Sequence, residues 1–262
     1  MLANLRSISI GFESPLSRPD RESRPPPPST RTVLSALTRF VFDGASEYLE
    51  DLVAHVDAPL LDSIWITFFH QVVFDIPQFA QFMRRTTSFQ ALNEAHVYFD
   101  NYGVQVGYHV PLTRTIGKMS GLRISCREMD QQFSSLAQVF TSFFPSIYMM
   151  EHLYIYEPRY LSSQWQDDVK NTQWLEIFHP FTAVKNLYLS KVFASHIAPA
   201  LQELVKERVT DVLPALECLL LEEFQPSGHV QEGIGKFVAA RQLAGHPITV
   251  SFWERDSKRG WV

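Results

Sequence analysis

One apolar phrase, Φ-x-x-Φ-x-x-Φ-x-Φ with Φ any apolar residue, returns along the whole chain. It is clearest in the last third, where Phe181, Val184, Leu187 and Leu189 are matched one repeat later by Leu213, Leu216, Leu219 and Leu221. Ile147, Met150, Leu153 and Ile155 make the same phrase one repeat earlier. Upstream copies are Ile116/Met119/Leu122/Ile124, Phe89/Leu92/Ala95/Val97, Ala58/Leu61/Ile64/Ile66 and Leu34/Leu37/Phe40/Phe42. Leu2, Leu5, Ile8 and Ile10 form the first copy, and a degraded last one ends in Ile248 and Val250. A phrase that returns every 24 to 34 residues is the mark of a repeat architecture.

The end of the phrase alternates, as a strand with one buried face requires. The beginning reads as the loop that leads into it. Between phrases, apolar residues recur at three- and four-residue spacing over 48–56, 77–85, 129–140, 168–178, 196–207 and 230–243, which predicts helices. Pro77 suits a first helical turn and Gly245 a helix stop. Strand, helix and strand at about 30 residues predict an α/β chain of parallel strands bent into an arc, with helices outside. That is an irregular leucine-rich-repeat solenoid, or horseshoe, of about eight or nine repeats filling residues 1–262 as one domain. A doubly wound α/β sheet also alternates strands with helices, but would not repeat one phrase nine times.

Two segments break the pattern. Residues 11–31 carry six prolines and little apolar content, so a Pro-rich loop replaces the first return helix. Pro25 to Pro28 favour polyproline II within it. Residues 97–110 contain two alternating runs around Asp100-Asn101-Tyr102-Gly103 and predict a β-hairpin with Asn101 and Gly103 in its turn. The Asn that commonly follows the strand in such repeats is missing. Phe69, Asp100, Arg127, Pro158, Val192 and Phe224 stand there instead.

The C-terminal third carries a resemblance. It runs Pro180-Phe-Thr-Ala-Val-Lys-Asn-Leu-Tyr-Leu189, Ala200-Leu-Gln-Glu-Leu204 and Phe237-Val-Ala-Ala-Arg241, closing with His246-Pro-Ile-Thr-Val250. These phrases, set between Trp174 and Val250, resemble the C-terminal repeats of fungal F-box/leucine-rich-repeat proteins. The resemblance implies a substrate receptor of a cullin–RING ubiquitin ligase, whose F-box binds the ligase adaptor while the repeats present a substrate. No F-box is visible: repeats begin at Leu2, and the only Leu-Pro, Leu213-Pro214, lies inside a late repeat. Contact with the adaptor is therefore expected only if an F-box lies upstream. The alternative is a leucine-rich-repeat interaction scaffold unrelated to ubiquitin.

Composition narrows the function classes. With 45% apolar and 19% charged residues the chain is not disordered as a whole, and a net charge of −5 gives no surface for nucleic acid. Two cysteines, Cys126 and Cys218, exclude a disulfide scaffold. No signal peptide and no apolar run of about 18 residues is present, so the expected setting is cytoplasmic or nuclear, away from membranes. Gly-rich phosphate loops, nucleophile elbows and zinc-protease motifs are absent. Asp167-Asp168 suits a helix N-terminus, Glu222-Glu223 a solvated rim, and Gly233 and Gly235 a helix contact. No enzyme, cofactor or metal is expected. Binding is. Alternate strand positions face away from the core, and at the strand centres these are Ser9, Val41, Trp65, His96, Arg123, Tyr154, Tyr188, Leu220 and Thr249. The next position adds Tyr98, Ser125, Tyr156 and Ser190. Because Trp, Tyr and Arg dominate binding hot spots, a protein partner is expected on the concave face, at Trp65, His96, Tyr98, Arg123, Tyr154, Tyr156 and Tyr188. Trp165 and Trp174 are assigned to a loop and a helix core.

Overall fold

The computed structural model describes residues 4–12, 30–69, 74–89, 93–100, 102–108, 120–125, 129–143, 147–157, 169–204, 206–222 and 228–254. Its elements in chain order are β1 (Ser7–Gly11), β2 (Thr32–Val33), β3 (Arg39–Gly44), α1 (Ser46–Ala54), β4 (Val56–Asp57), β5 (Ser63–Phe69) and α2 (Pro77–Arg85). Then come β6 (Glu94–Asp100), β7 (Gly103–Tyr108), β8 (Ser120–Ser125), α3 (Met129–Phe143), β9 (His152–Tyr156) and α4 (Asn171–Phe178). The last are β10 (Asn186–Leu189), α5 (Lys191–Gln202), β11 (Cys218–Leu221), α6 (Gly228–Leu243) and β12 (Thr249–Phe252). The chain is mixed α/β, with a large, mostly parallel sheet and helices. It divides into two compact units, Met1–Leu92 with Asn101–Ile147, and Asn93–Asp100 with Tyr148–Val262.

The repeated phrase is the core. Every described phrase residue from Leu34 to Leu221 is buried. The ends differ: Leu5, Ile8 and Ile10 are half-buried and Val250 is 41% exposed, because β1 and β12 have a neighbouring strand on one side only. Hydrogen bonding repeats with the phrase. The carbonyl just before a strand accepts two N–H groups from the start of the next strand in the sheet. Arg6 O receives Thr38 and Arg39, and Thr38 O receives Asp62 and Ser63. In the second unit Asn93 O receives Glu151 and His152, Glu151 O receives Lys185 and Asn186, and Lys185 O receives Glu217 and Cys218. These shared carbonyls satisfy the backbone donors at the start of each strand.

In the first unit the strand order is β1-β3-β5-β8-β7, parallel except for the antiparallel β7–β8 pair. The short strands β2 and β4 pair separately. Phe40 of β3 packs on Phe82 of α2. The buried Glu50 of α1 receives the backbone N–H groups of Gln78 and Phe79, at 2.9 and 2.8 Å. A carboxylate thereby caps the start of α2, just past Pro77. Ile66 pairs with Leu122 and Phe68 with Ile124, two residues further along β5 than the phrase alignment places them. A slip of two keeps every side chain on its face, so burial survives it.

β6 and β7 are strands where the sequence predicts the two runs of a hairpin, and Asn101 lies outside the described residues. Gly103 is required by contact rather than by a turn: a Cβ there would collide with the Ile124 carbonyl oxygen in β8.

In the second unit the order is β6-β9-β10-β11-β12, all parallel. Phe99 of β6 meets Trp174 of α4 and Phe193 of α5, so Trp174 is a helix-core residue as expected. Burying such a ring contributes about 2–3 kcal/mol. Helix α5 begins a turn before the sequence estimate, at Lys191. Ser190 caps it, accepting the Phe193 N–H while donating to the buried Glu157 carboxylate. Ser190 thus leaves the exposed row and serves the helix start. Gly233 lets α6 approach α5, since a Cβ would meet Ala198 O at 3.0 Å. Gly235 has open space around it. Helix α6 ends in a Schellman motif, with His246 N bonded to Arg241 O, Gly245 N bonded to Gln242 O, and Gly245 at φ +80°.

Arg241 closes this end of the core. Its side chain is 1% exposed and donates to the carbonyls of Val209, Leu213, Pro214 and Leu216, at 3.4, 3.4, 3.2 and 2.9 Å. Burial pushes its guanidinium below the ordinary value. The loop it holds contains Leu213 at φ 51°, a left-handed conformation that costs a side-chain-bearing residue roughly 1–2 kcal/mol. Asp167, Asp168, Trp165, Cys126, Glu223 and the prolines of the Pro-rich loop lie outside the described residues.

Candidate functional site

Parallel register sets an aromatic row across the second unit. His96 of β6 stands opposite Tyr154 of β9, which stands opposite Tyr188 of β10, and the row continues to Leu220 and Ser251. Neighbouring strands are about 4.8 Å apart, so rings at matched positions meet face to face. His96 and Tyr154 stack at 4.3 Å and 4°, and Tyr154 and Tyr188 at 3.9 Å and 12°. Leu153, Ile155, Leu187 and Leu189, which alternate with these rings, are in the core. The ladder therefore stands on the other face of the sheet.

A second row flanks it. Tyr98 opposes Tyr156, with the rings edge to face at 5.6 Å. On the other side His152 sits beside Tyr188. Polar tips tie the rows together. The Tyr156 hydroxyl reaches His96 Nδ1 at 3.5 Å, and His96 Nε2 points at the Glu94 carboxylate at 3.4 Å. The Tyr188 hydroxyl reaches His152 Nδ1 at 3.4 Å. Each contact joins neighbouring strands or alternate residues of one strand, so the ring orientations are fixed by the sheet.

Trp253, directly after β12, completes the cluster. It lies 5.9 Å from Tyr154 and 5.6 Å from Tyr188, nearly perpendicular to both. Since the two tyrosines are stacked and Trp253 is almost equidistant from them, it meets their edges. Its indole N–H donates to Leu189 O at 3.2 Å and its backbone N–H to Leu221 O at 3.0 Å.

Exposure separates two roles. His96 and Tyr156 are 8% exposed and support the ladder from within. Tyr98, Tyr154, Tyr188, His152 and Trp253 are half-buried and offer ring surface with hydrogen-bonding tips. That pairing of an apolar body with a polar handle suits protein interfaces.

Of the seven residues expected to bind a partner, the structure brings His96, Tyr98, Tyr154, Tyr156 and Tyr188 into this one cluster. Trp65 and Arg123 belong to the first unit. There the two-residue slip sets Trp65 beside Gly121, and Arg123 between Thr67 and Gln105. A Cβ on Gly121 would lie 2.9 Å from the Trp65 ring, so the ring covers the glycine.

Sequence reasoning missed Trp253, His152 and Glu94. His152 and Glu94 occupy the outward position one step before the strand centre, and the same alternation would have found them. Trp253 was hidden by the register. The phrase places Ile248 opposite Leu219, whereas Val250 stands there. That shift sets Trp253 two positions further back along the sheet, directly after the Leu221–Phe252 pair.

Among the described residues, no group of three or more His, Cys, Asp or Glu side chains is placed to hold a metal ion. No described helix is long and apolar enough to cross a membrane. No protein-family model matches the chain, and neither a curated protein nor a solved structure matches it.

Proposed function

We propose that this chain is a non-catalytic protein-recognition module whose partner lands on the aromatic ladder of the second unit. One observation carries the reading: Tyr154, Tyr188 and Trp253 form a preorganised, half-buried ring cluster on the sheet face away from the core. Rings already held in place lose little freedom on binding, which lowers the entropic cost of association. The same proposal reads both units as runs of one irregular leucine-rich-repeat solenoid. The recurring buried phrase and the recurring shared carbonyls support it.

The resemblance of the C-terminal third to F-box/leucine-rich-repeat proteins makes a ubiquitin-ligase substrate receptor the first role to test. A scaffold unrelated to ubiquitin is the alternative. Extract of the source organism is passed over the wild-type chain and over the Tyr154→Ala/Tyr188→Ala variant, with bound proteins identified by mass spectrometry. A true partner falls by about tenfold or more on the variant, as loss of two hot-spot rings demands, while the unfolding temperature shows the variant folded. The same partners on both baits would overturn the reading. The gene sequence upstream of Met1 and adaptor capture by the full-length product separate the two roles: an in-frame F-box with adaptor capture supports the ligase role, and partner binding without adaptor capture supports the scaffold.

A further inference from the structure

The apolar columns of the core stop at two open strand edges. In the second unit Leu153, Leu187 and Leu219 form one column, and Ile155, Leu189 and Leu221 the next, each residue no more than 2% exposed. The last members are Val250 and Phe252 of β12, 41% and 43% exposed. Thr249 N and Trp253 N bond to Glu217 O and Leu221 O of β11. The alternation of a parallel ladder therefore turns the Val250 N–H and C=O toward the other edge. In the first unit β1 shows the converse. Arg6 O and Phe12 N bond to Arg39 N and Asp43 O of β3, which turns the backbone of Ser7, Ser9 and Gly11 outward. Edge strands are usually blunted by charge or proline. Ser7–Gly11 and Thr249–Phe252 contain neither.

We infer that these edges fit each other: β12 of one molecule pairs, in parallel, with β1 of a second copy. The inference is independent of the aromatic ladder. With Val250 beside the second copy's Ile8, and Phe252 beside its Ile10, both columns run on into its Phe40 and Phe42. The direction is right, because β1 pairs with β3, and β9 to β12 with one another, in parallel. The same register offers Ile248 O to the N–H of the second copy's Ser7, as Lys185 O is offered to Cys218. Charge favours the contact. Arg6 and Arg39 are exposed at the start of β1 and β3, and Glu217 is exposed just before β11. None of the three forms a salt bridge among the described residues. Pairing sets the second copy's Arg6 two strands from Glu217, about 10 Å between backbones, which the two side chains span. Glu254 and the second copy's Asp43 are about as far apart at the other end, and like charges there can turn apart. Because the two edges differ, the contact is head to tail and builds rings or open chains rather than a closed pair. A four-residue strand makes a small contact, so association belongs at micromolar concentration.

The test is sedimentation velocity of the full chain from about 1 to 100 µM. Mean mass should rise with concentration beyond that of a dimer. Ile8→Lys and Val250→Lys each charge one edge and leave the other intact. Each alone should stay monomeric, and an equimolar mixture should give one-to-one dimers and nothing larger. Unfolding temperatures near that of wild type show both variants folded. Arg6→Glu, a surface change, should weaken assembly severalfold, and Glu217→Lys added to it should restore it. The inference is overturned by a wild-type chain that stays monomeric throughout, by a mixture that stays monomeric, or by an Ile8→Lys chain that dimerises alone, which would pair β12 with β12. Assembly that requires removal of residues 255–262 would put that segment on β12 and overturn it too. So would a Val250→Lys chain that loses a captured partner while wild type stays monomeric, since a partner's strand would then hold the edge.

Discussion

Replacing Arg241 should unfold the C-terminal end of the second unit more readily than any surface change. The guanidinium is 1% exposed and spans four carbonyls, two of them at good distance, Leu216 O at 2.9 Å and Pro214 O at 3.2 Å. In Arg241→Met the aliphatic volume is largely kept and the donors are lost. Leu213 O keeps the Leu216 N–H at 3.0 Å. Pro214 O and Leu216 O lose the short bonds. A buried acceptor left without a donor costs roughly 1–3 kcal/mol, and relief of the guanidinium's own desolvation offsets part of two such losses. The net cost should be about 3 kcal/mol, or roughly 6–12 °C in unfolding temperature for a chain of this size. Arg241→Lys should recover only part of it, because one ammonium cannot reach four carbonyls in a fixed fork. Urea unfolding followed by tryptophan fluorescence and by circular dichroism gives both the cost and a test of two-state behaviour. An Arg241→Met chain within about 0.5 kcal/mol of wild type would refute the carbonyl-clamp account, since that is the range of surface substitutions.

Other substitutions test packing and capping. Gly235→Ala in α6 should stabilise by about 0.5–1 kcal/mol, because a helical glycine gains from a Cβ that meets nothing. Gly103→Ala should cost more than about 2 kcal/mol in the same urea experiment, because its Cβ forces β7 from β8. Glu50→Ala should cost about 1–2 kcal/mol by removing the cap on α2, with Glu50→Gln recovering part of it. The exposed Glu151–Lys185 pair gives a pH dependence. The Lys185 hydrogen bond, then its charge, holds the Glu151 carboxyl below its usual value, and the same contacts raise Lys185. The pair therefore contributes above the unfolded carboxylate value and loses that contribution as pH falls through the lowered one. It also loses it as pH rises through the raised ammonium value. A double-mutant cycle should find coupling at neutral pH that vanishes in acid and shrinks with salt.

The phrase was legible because burial follows it without exception from Leu34 to Leu221 among the described positions. Period-two alternation survives any even slip in register, so the face of Tyr154 or Tyr188 could be read from sequence, as could the helix stop at Gly245. What could not be read depends on the neighbour. The slip that sets Trp65 over Gly121 is invisible within either strand. So is the role of Ser190, whose position in the row counts for less than the need of α5 for a cap. Nothing in the segment of Arg241 itself reports that four carbonyls from 209–216 converge on it. Trp253 joined the site through the register of β12, not through any periodicity.

The central claim, that the aromatic face of the second unit receives a protein partner, is tested most directly by site-specific photocrosslinking. A photoreactive residue is placed at the exposed Ser251, in the register row of Tyr154 and Tyr188, or at Gly235, on an exposed turn of α6. Each protein is irradiated with the captured partner bound. The account predicts a crosslink from position 251 and none from 235. Crosslinking from 235 alone would place the partner on the helices and contradict it.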